Sequence, residues 1–230
     1  MHVPDGFLDA ATSIGTGVVA ALGLAVALRG ARRELDDRTA PMAGLVAAFV
    51  FAAQMLNFPV GAGTSGHLLG GALAAVLVGP YTAALCLAVV LLVQALLFAD
   101  GGITALGTNI TLFAVVATGV GWLVFRVLQH VLPKRLTLVP AAAGAAALVS
   151  VPVTALAFVG LFAVGGQAPV PVGAVAAAML GWHGLIGIGE AVITALVVSS
   201  VVAVRPDLVY GARPVLTTRP LEIRTSRVAS

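Results

Sequence analysis

Charge is scarce in this chain: of 230 residues, 9% are Asp, Glu, Lys or Arg, against 60% hydrophobic. A soluble domain carries roughly a quarter charged residues, so there is too little charge here to coat a globular surface, and a water-soluble fold is excluded. Cysteine occurs once, as Cys86 inside an apolar run, which excludes an intrachain disulfide, a CxxC redox pair and a thiolate-rich metal cage. Any metal must use nitrogen, oxygen or methionine sulfur. Lysine also occurs once, as Lys134 after Pro133 rather than after a glycine, so the chain has no phosphate-binding loop and no route to ATP hydrolysis through one. The net charge of +3 and pI near 9.8 would suit nucleic acid only if the basic residues shared a solvated face. They flank apolar runs instead, and nucleic acid is not an expected partner.

What is present is apolar sequence long enough to cross a bilayer several times. No charged side chain occurs in 10–28, 39–99, 101–125 or 136–189. A crossing needs roughly 20 apolar residues, so the longer stretches must be divided, and turn formers mark the divisions: 57–66, Gly79-Pro80, and 165–173. An all-α polytopic membrane protein with seven spans results, at 8–28, 41–57, 67–78, 80–98, 106–131, 138–164 and 175–204. The third is short, and 67–98 also reads as one bent helix. Basic residues decide between the two. With seven crossings, all twelve (29, 32, 33, 38, 126, 134, 135, 205, 213, 219, 224 and 227) fall at one face, as the cytoplasmic side requires. With six, Arg126, Lys134 and Arg135 change sides. The N-terminus is therefore expected outside, the C-terminus inside, and the third helix half-length or tilted. Asp5, Asp9 and Asp100 then lie at the outer face. A signal peptide would have a basic leading region; residues 1–9 contain Asp5 and Asp9 but no Lys or Arg, so they are expected to be retained. Residues 1–204 form the membrane domain, and 205–230, with Pro206, Pro214 and Pro220, read as a polar cytoplasmic tail.

In so apolar a chain, outer or intramembrane polar residues mark function by default. The first cluster is Met1-His2-Val3-Pro4-Asp5-Gly6-Phe7-Leu8. Pro4-Asp5-Gly6 reads equally as a turn aiming the chain into the first helix. A histidine in second position offers three nitrogens to one ion: the Met1 α-amine, its own amide and its Nδ1. They close fused five- and six-membered chelate rings in one plane and leave one corner of a square open. Planar nitrogen coordination suits Ni(II) or Cu(II), and Co(II) can be forced into it, whereas Zn(II) prefers a tetrahedron and Mg(II) oxygens. The bulk of His2 should leave Met1 in place. The second cluster is Gly61-Ala-Gly-Thr64-Ser65-Gly66-His67-Leu-Leu-Gly70-Gly71. It reads either as a loop whose Thr64 or Ser65 caps a helix with His67 in its first turn, or as the fourth metal donor, at the depth of Met1 and kept neutral by the helix N-terminus.

Asn57, Asp100 and Asn109 sit at outer span ends, where they either orient a ligating imidazole or cap helices. Gln54 and Gln94 read as interhelical hydrogen bonders. His183 and Glu190, seven apart on the last span, suit a structural ion pair or contact, not catalysis. His130 is interfacial. Gly44, Ala48 and Ala52, like Gly17, Ala21 and Ala25, form small-residue faces for internal packing or for docking another membrane protein.

The opening Met-His-Val-Pro-Asp-Gly-Phe-Leu, the central Gly63-Thr-Ser-Gly-His-Leu-Leu-Gly-Gly71 and the late Gly-Ile-Gly-Glu190 resemble, over residues 1 to about 210, the substrate-capture membrane subunits of cobalt and nickel energy-coupling factor transporters. The resemblance implies a planar site for Ni2+ or Co2+ as transported substrate, built from the Met1 amine, the His2 amide and imidazole, and His67. By their position in the sequence, Thr64, Ser65, Asn57, Asp100 and Asn109 are the candidates to surround that site, and by their spacing Gly44, Ala48 and Ala52 are the candidate face for docking a partner. Implied partners are a transmembrane coupling protein, two cytosolic ATPase subunits and a small accessory membrane subunit. The chain itself would be no enzyme but a transporter subunit of the cell (inner) membrane, without organic cofactor. A self-sufficient metal channel is the alternative; it needs polar groups lining a whole crossing, and polar residues gather mainly at one end.

Overall fold

The computed structural model describes residues 1–36, 39–61 and 64–217. Gly63 of the central motif and the basic residues Arg38, Arg219, Arg224 and Arg227 lie outside the described residues. Helix α1 (Ala10–Ala31) starts where the Asp9 carboxylate accepts the Thr12 N–H at 2.7 Å. Then follow α2 (Thr39–Gln54), a bulged two-stranded hairpin of β1 (Phe58–Gly61) and β2 (Thr64–Gly66), and the short α3 (Gly71–Val78). After it come α4 (Pro80–Leu97), α5 (Leu106–Val131), α6 (Val139–Gly165) and α7 (Val172–Val204). Among the described residues, α1, α4, α5, α6 and α7 are long and apolar enough to cross a membrane, and α2 is a shorter apolar helix. The hairpin is the one departure, among the described residues, from the expected all-α architecture.

The third span differs most from expectation. Its helix begins at Gly71, not at residue 67, and eight residues rise only about 12 Å. Residues 67–70 run without helix ahead of it, as a leg adding about 13 Å if extended. Together they traverse the bundle. His67 lies beside Met1 and His2, whereas Gly79, at the other end, touches the Glu34 carboxylate that follows α1. Non-helical backbone is tolerated at this depth because protein encloses it: His67, Leu69 and Gly70 are buried and Leu68 is half-buried. Gly79 makes the corner possible. It has φ +93°, and a Cβ there would lie 2.5 Å from Glu34. The space admits that carboxylate, which accepts the Tyr81 and Thr82 N–H groups at 3.3 and 2.7 Å and caps α4.

One end of the bundle thus carries Asp5 and Asp100, held against Thr104 and His2, and the other carries Glu34 at Gly79 and Arg213 at Asp36. The second span stops at Gln54, short of the expected 57, because Asn57 precedes the hairpin. The first part of the expected tail folds back. Val209 and Ala212 are fully buried, Gln129 donates to the Gly211 carbonyl at 2.6 Å, and Arg213 pairs with Asp36 at 3.7 Å. The remainder, 218–230, lies outside the described residues.

Candidate metal centre

Residues 1–9 form a strap across the acidic end. Val3 is fixed twice by Asn109, whose Oδ1 accepts the Val3 N–H at 2.8 Å and whose Nδ2 donates to the Val3 carbonyl at 3.1 Å. Gly102 N–H donates to the same carbonyl at 2.9 Å. Asp5 accepts from both the backbone and the hydroxyl of Thr104. Gly102 has to be glycine, since a Cβ would collide with the Asp5 backbone nitrogen. At its far end the strap is tied to α6, Asp9 N–H donating to the Gly165 carbonyl at 2.7 Å, while Phe7 packs on Phe158 and Phe162.

The strap delivers Met1 and His2 to His67. Met1 is fully buried, and its amine donates to Ser65 Oγ at 3.1 Å. Burial pulls the amine down from its ordinary value of 8.0 to about 4, with Asp100 pulling the other way; it is a free base at neutral pH, its lone pair available. The His2 and His67 rings stack at 4.4 Å between centroids, with Phe113 at 5.2 and 5.5 Å from them. His67 Nδ1 is 2.9 Å from the Leu68 carbonyl. A carbonyl only accepts, so Nδ1 carries the proton and Nε2 keeps the lone pair. Nε2 of both His2 and His67 is buried without a partner.

Asp100 is the electrostatic counterpart. Its Oδ1 lies 2.9 Å from His2 Nδ1 and its Oδ2 accepts from Asn57 Nδ2 at 3.2 Å. Burial raises its pKa, but these two bonds and the His2 charge outweigh it, and the net direction is down. His2 is held below its ordinary value, by burial first and against the Asp100 bond.

The structure thus brings Met1, His2 and His67 together, with Ser65, Asn57, Asp100 and Asn109 around them; Thr64 opens β2. Three particulars differ from expectation. His67 lies ahead of α3, not in its first turn, so the tautomer fixed by Leu68, not the helix dipole, leaves its Nε2 free. His2 Nδ1, the atom that a chelate with the amine uses, faces Asp100, because a buried N–H takes the nearest acceptor. Asn109 holds the strap's backbone through Val3 rather than bonding an imidazole. Elsewhere, His183 and Glu190 make no pair: His183 Nδ1 bonds the Met179 carbonyl, and Glu190 accepts from Leu69 and Gly70. Gln54 bonds the Leu69 carbonyl, not another helix, and both amide atoms of Gln94 are buried without a partner. Sequence reasoning missed Phe113, Thr104 and the gripping role of Glu190. Asp100-Gly-Gly102 was a usable signal for the strap's seat; a phenylalanine in an apolar run was none.

The family model described as cobalt uptake substrate-specific transmembrane region matches residues 2–208. The chain belongs to this family. A putative metal transport protein of Haloquadratum walsbyi is 41% identical over 91% of this chain and 94% of its own length. A putative fused nickel transport protein of Archaeoglobus fulgidus is 41% identical over 91% of this chain and 68% of its own length. A crystal structure of a truncated transition metal transporter superposes with a TM-score of 0.82 at 31% identity, covering 88% of this chain and 99% of that one. The chain is accordingly a multi-pass membrane protein of a cobalt and nickel transport family.

Proposed function

We propose that this chain is the substrate-capture subunit of an ATP-driven cobalt or nickel uptake transporter, and that it takes the divalent ion at the outer face through the Met1 amine, the His2 amide and imidazole, and His67. The observation that carries this reading is the buried terminal amine beside two stacked imidazoles with unpartnered nitrogens. Binding has the His2 ring turn, so that Nδ1 faces the amine and Nε2 takes over the bond to Asp100, as outer-sphere carboxylates do for metal-bound histidines. The amide proton is released on binding, so affinity rises with pH. Energy comes from partners, a coupling membrane protein with two cytosolic ATPases, because the chain has no phosphate-binding loop. A relative named as a fused transport protein, two thirds of which this chain covers, supports an accessory membrane component. Gly44, Ala48 and Ala52 are exposed on α2 and serve as the docking face.

Isothermal titration of the purified chain with Co2+ and Ni2+ tests the site. His67→Ala should lower affinity by more than about 100-fold, beyond what outer-sphere substitutions cost, while His130→Ala, exposed at the opposite end, should change nothing. Equal effects of the two would overturn the ligand assignment. Uptake that persists in cells without the ATPase partners would instead favour a channel.

A further inference from the structure

The leg that carries His67 is gripped from two helices at the two peptide groups that flank Leu69. Glu190 of α7 accepts the Leu69 N–H on Oε2 at 2.7 Å and the Gly70 N–H on Oε1 at 2.9 Å. Gln54, the last residue of α2, donates from Nε2 to the Leu69 carbonyl at 2.8 Å. Leu69 and Gln54 are fully buried, and Glu190 is 1% exposed. Among the described residues no Lys, Arg or His forms an ion pair with Glu190.

A carboxylate in this setting is a costly way to satisfy two N–H groups, since desolvating it costs several kcal/mol. Simple capping of α3 needs less: a serine, threonine or asparagine at the cap position itself is the ordinary solution. Instead the cap position is Gly70, without a side chain, and the acceptor comes from a helix 120 residues away. Gln54 is similarly unsuited to mere packing, as its Oε1 is buried without a partner. What both contacts share is Leu69, two residues from His67. The intervening Leu68 carbonyl is the group that His67 Nδ1 bonds, so the ring is tied to the leg, and the leg to α2 and α7.

We propose that Glu190 and Gln54 are positioning residues for metal capture: by gripping the peptide groups that flank Leu69 from α7 and α2, they hold His67 Nε2 at the fourth corner of the site. This rests on the reading of His67 as a ligand. A planar site tolerates little displacement of a donor, so a shift of α2 against α7 moves His67 and loosens the ion. Ala52, on the exposed face of α2, is two residues from Gln54.

The test uses the full-length purified chain and Ni2+ alone, reading the dissociation constant and the visible d–d absorption of the saturated complex, with a thermal melt of the metal-free chain beside them. Glu190→Gln, which retains one good acceptor, and Gln54→Leu should each weaken binding 10- to 100-fold, the range for outer-sphere partners, and shift the band as water replaces imidazole. In a His67→Ala background neither should weaken binding further, because residues acting through His67 are coupled to it. A lowered melting temperature with unchanged affinity and unchanged band in both variants overturns the proposal, and so does full additivity with His67→Ala. If Glu190→Gln does not insert, Gln54→Leu decides alone by the same readouts. An unchanged band and affinity in His67→Ala itself refutes the ligand reading beneath the proposal, an outcome distinct from failure of the two positioning variants alone.

Discussion

Adding one glycine ahead of Met1 is the sharpest perturbation this geometry allows. The amine would become a peptide nitrogen, which lacks a free lone pair at neutral pH, and the added residue would have to enter a space in which Met1 is already fully buried. Two losses then combine. The chelate loses its first ring, since the five-membered closure runs through the amine. The strap also loses its seat: withdrawing Met1 exposes a side chain whose burial is worth about 1.5–3 kcal/mol, and pulls on the paired Val3–Asn109 bonds, worth about 1 kcal/mol each. The expected result is a fall in Co2+ and Ni2+ affinity of more than about 100-fold, beyond the range for outer-sphere changes. The helices should be unaffected, because α1 starts only at Ala10. The assay is isothermal titration of one preparation before and after proteolytic removal of the added residue, with circular dichroism to confirm unchanged helicity. Cleavage should restore binding, and a C-terminal tag should leave it intact. Equal affinity before and after cleavage would refute the reasoning at its root, because both losses require Met1 to be the seated chain end.

Acid should release the strap. A base whose folded pKa is depressed holds fewer protons in the native state, so docking is complete above the ordinary value of 8.0 and is lost as pH falls toward about 4. Metal affinity should drop about tenfold per pH unit across pH 8 to 6, because binding releases the His2 amide proton while the docked amine is already a free base; a flat profile there would exclude the amide as a ligand. Ala48→Leu on the exposed face of α2 should abolish uptake with all partners present while leaving the isolated chain's metal affinity unchanged; weakened binding would place that face inside the fold. In a Cys86→Ala background, Gln167→Cys should react with an impermeant thiol reagent on intact cells and Arg135→Cys only after lysis. The reverse labelling pattern would invert the proposed orientation.

Composition alone determined that this chain is a multi-pass helical membrane protein, because hydrocarbon admits few unpaired charges and the charge-free stretches are long enough to cross it. Most helix limits were legible too: α5 matches its expected span of 106–131, and α4, α6 and α7 depart from theirs by up to three residues. Met1, His2 and His67 stood out because polar groups are rare in so apolar a sequence. What only the tertiary structure decided is how these groups meet. That His67 rides on a non-helical leg depends on enclosure by α2, α5 and α7, which no local pattern encodes. Asn109 grips the Val3 backbone from 106 residues away, and Glu190 reaches Leu69 across 121. The folding-back of 206–216 onto the bundle was hidden as well, since its few apolar residues carry no periodic signal. Local propensity and hydropathy act over a turn or a span, whereas hydrogen bonds to a particular backbone group are set only when distant helices have packed.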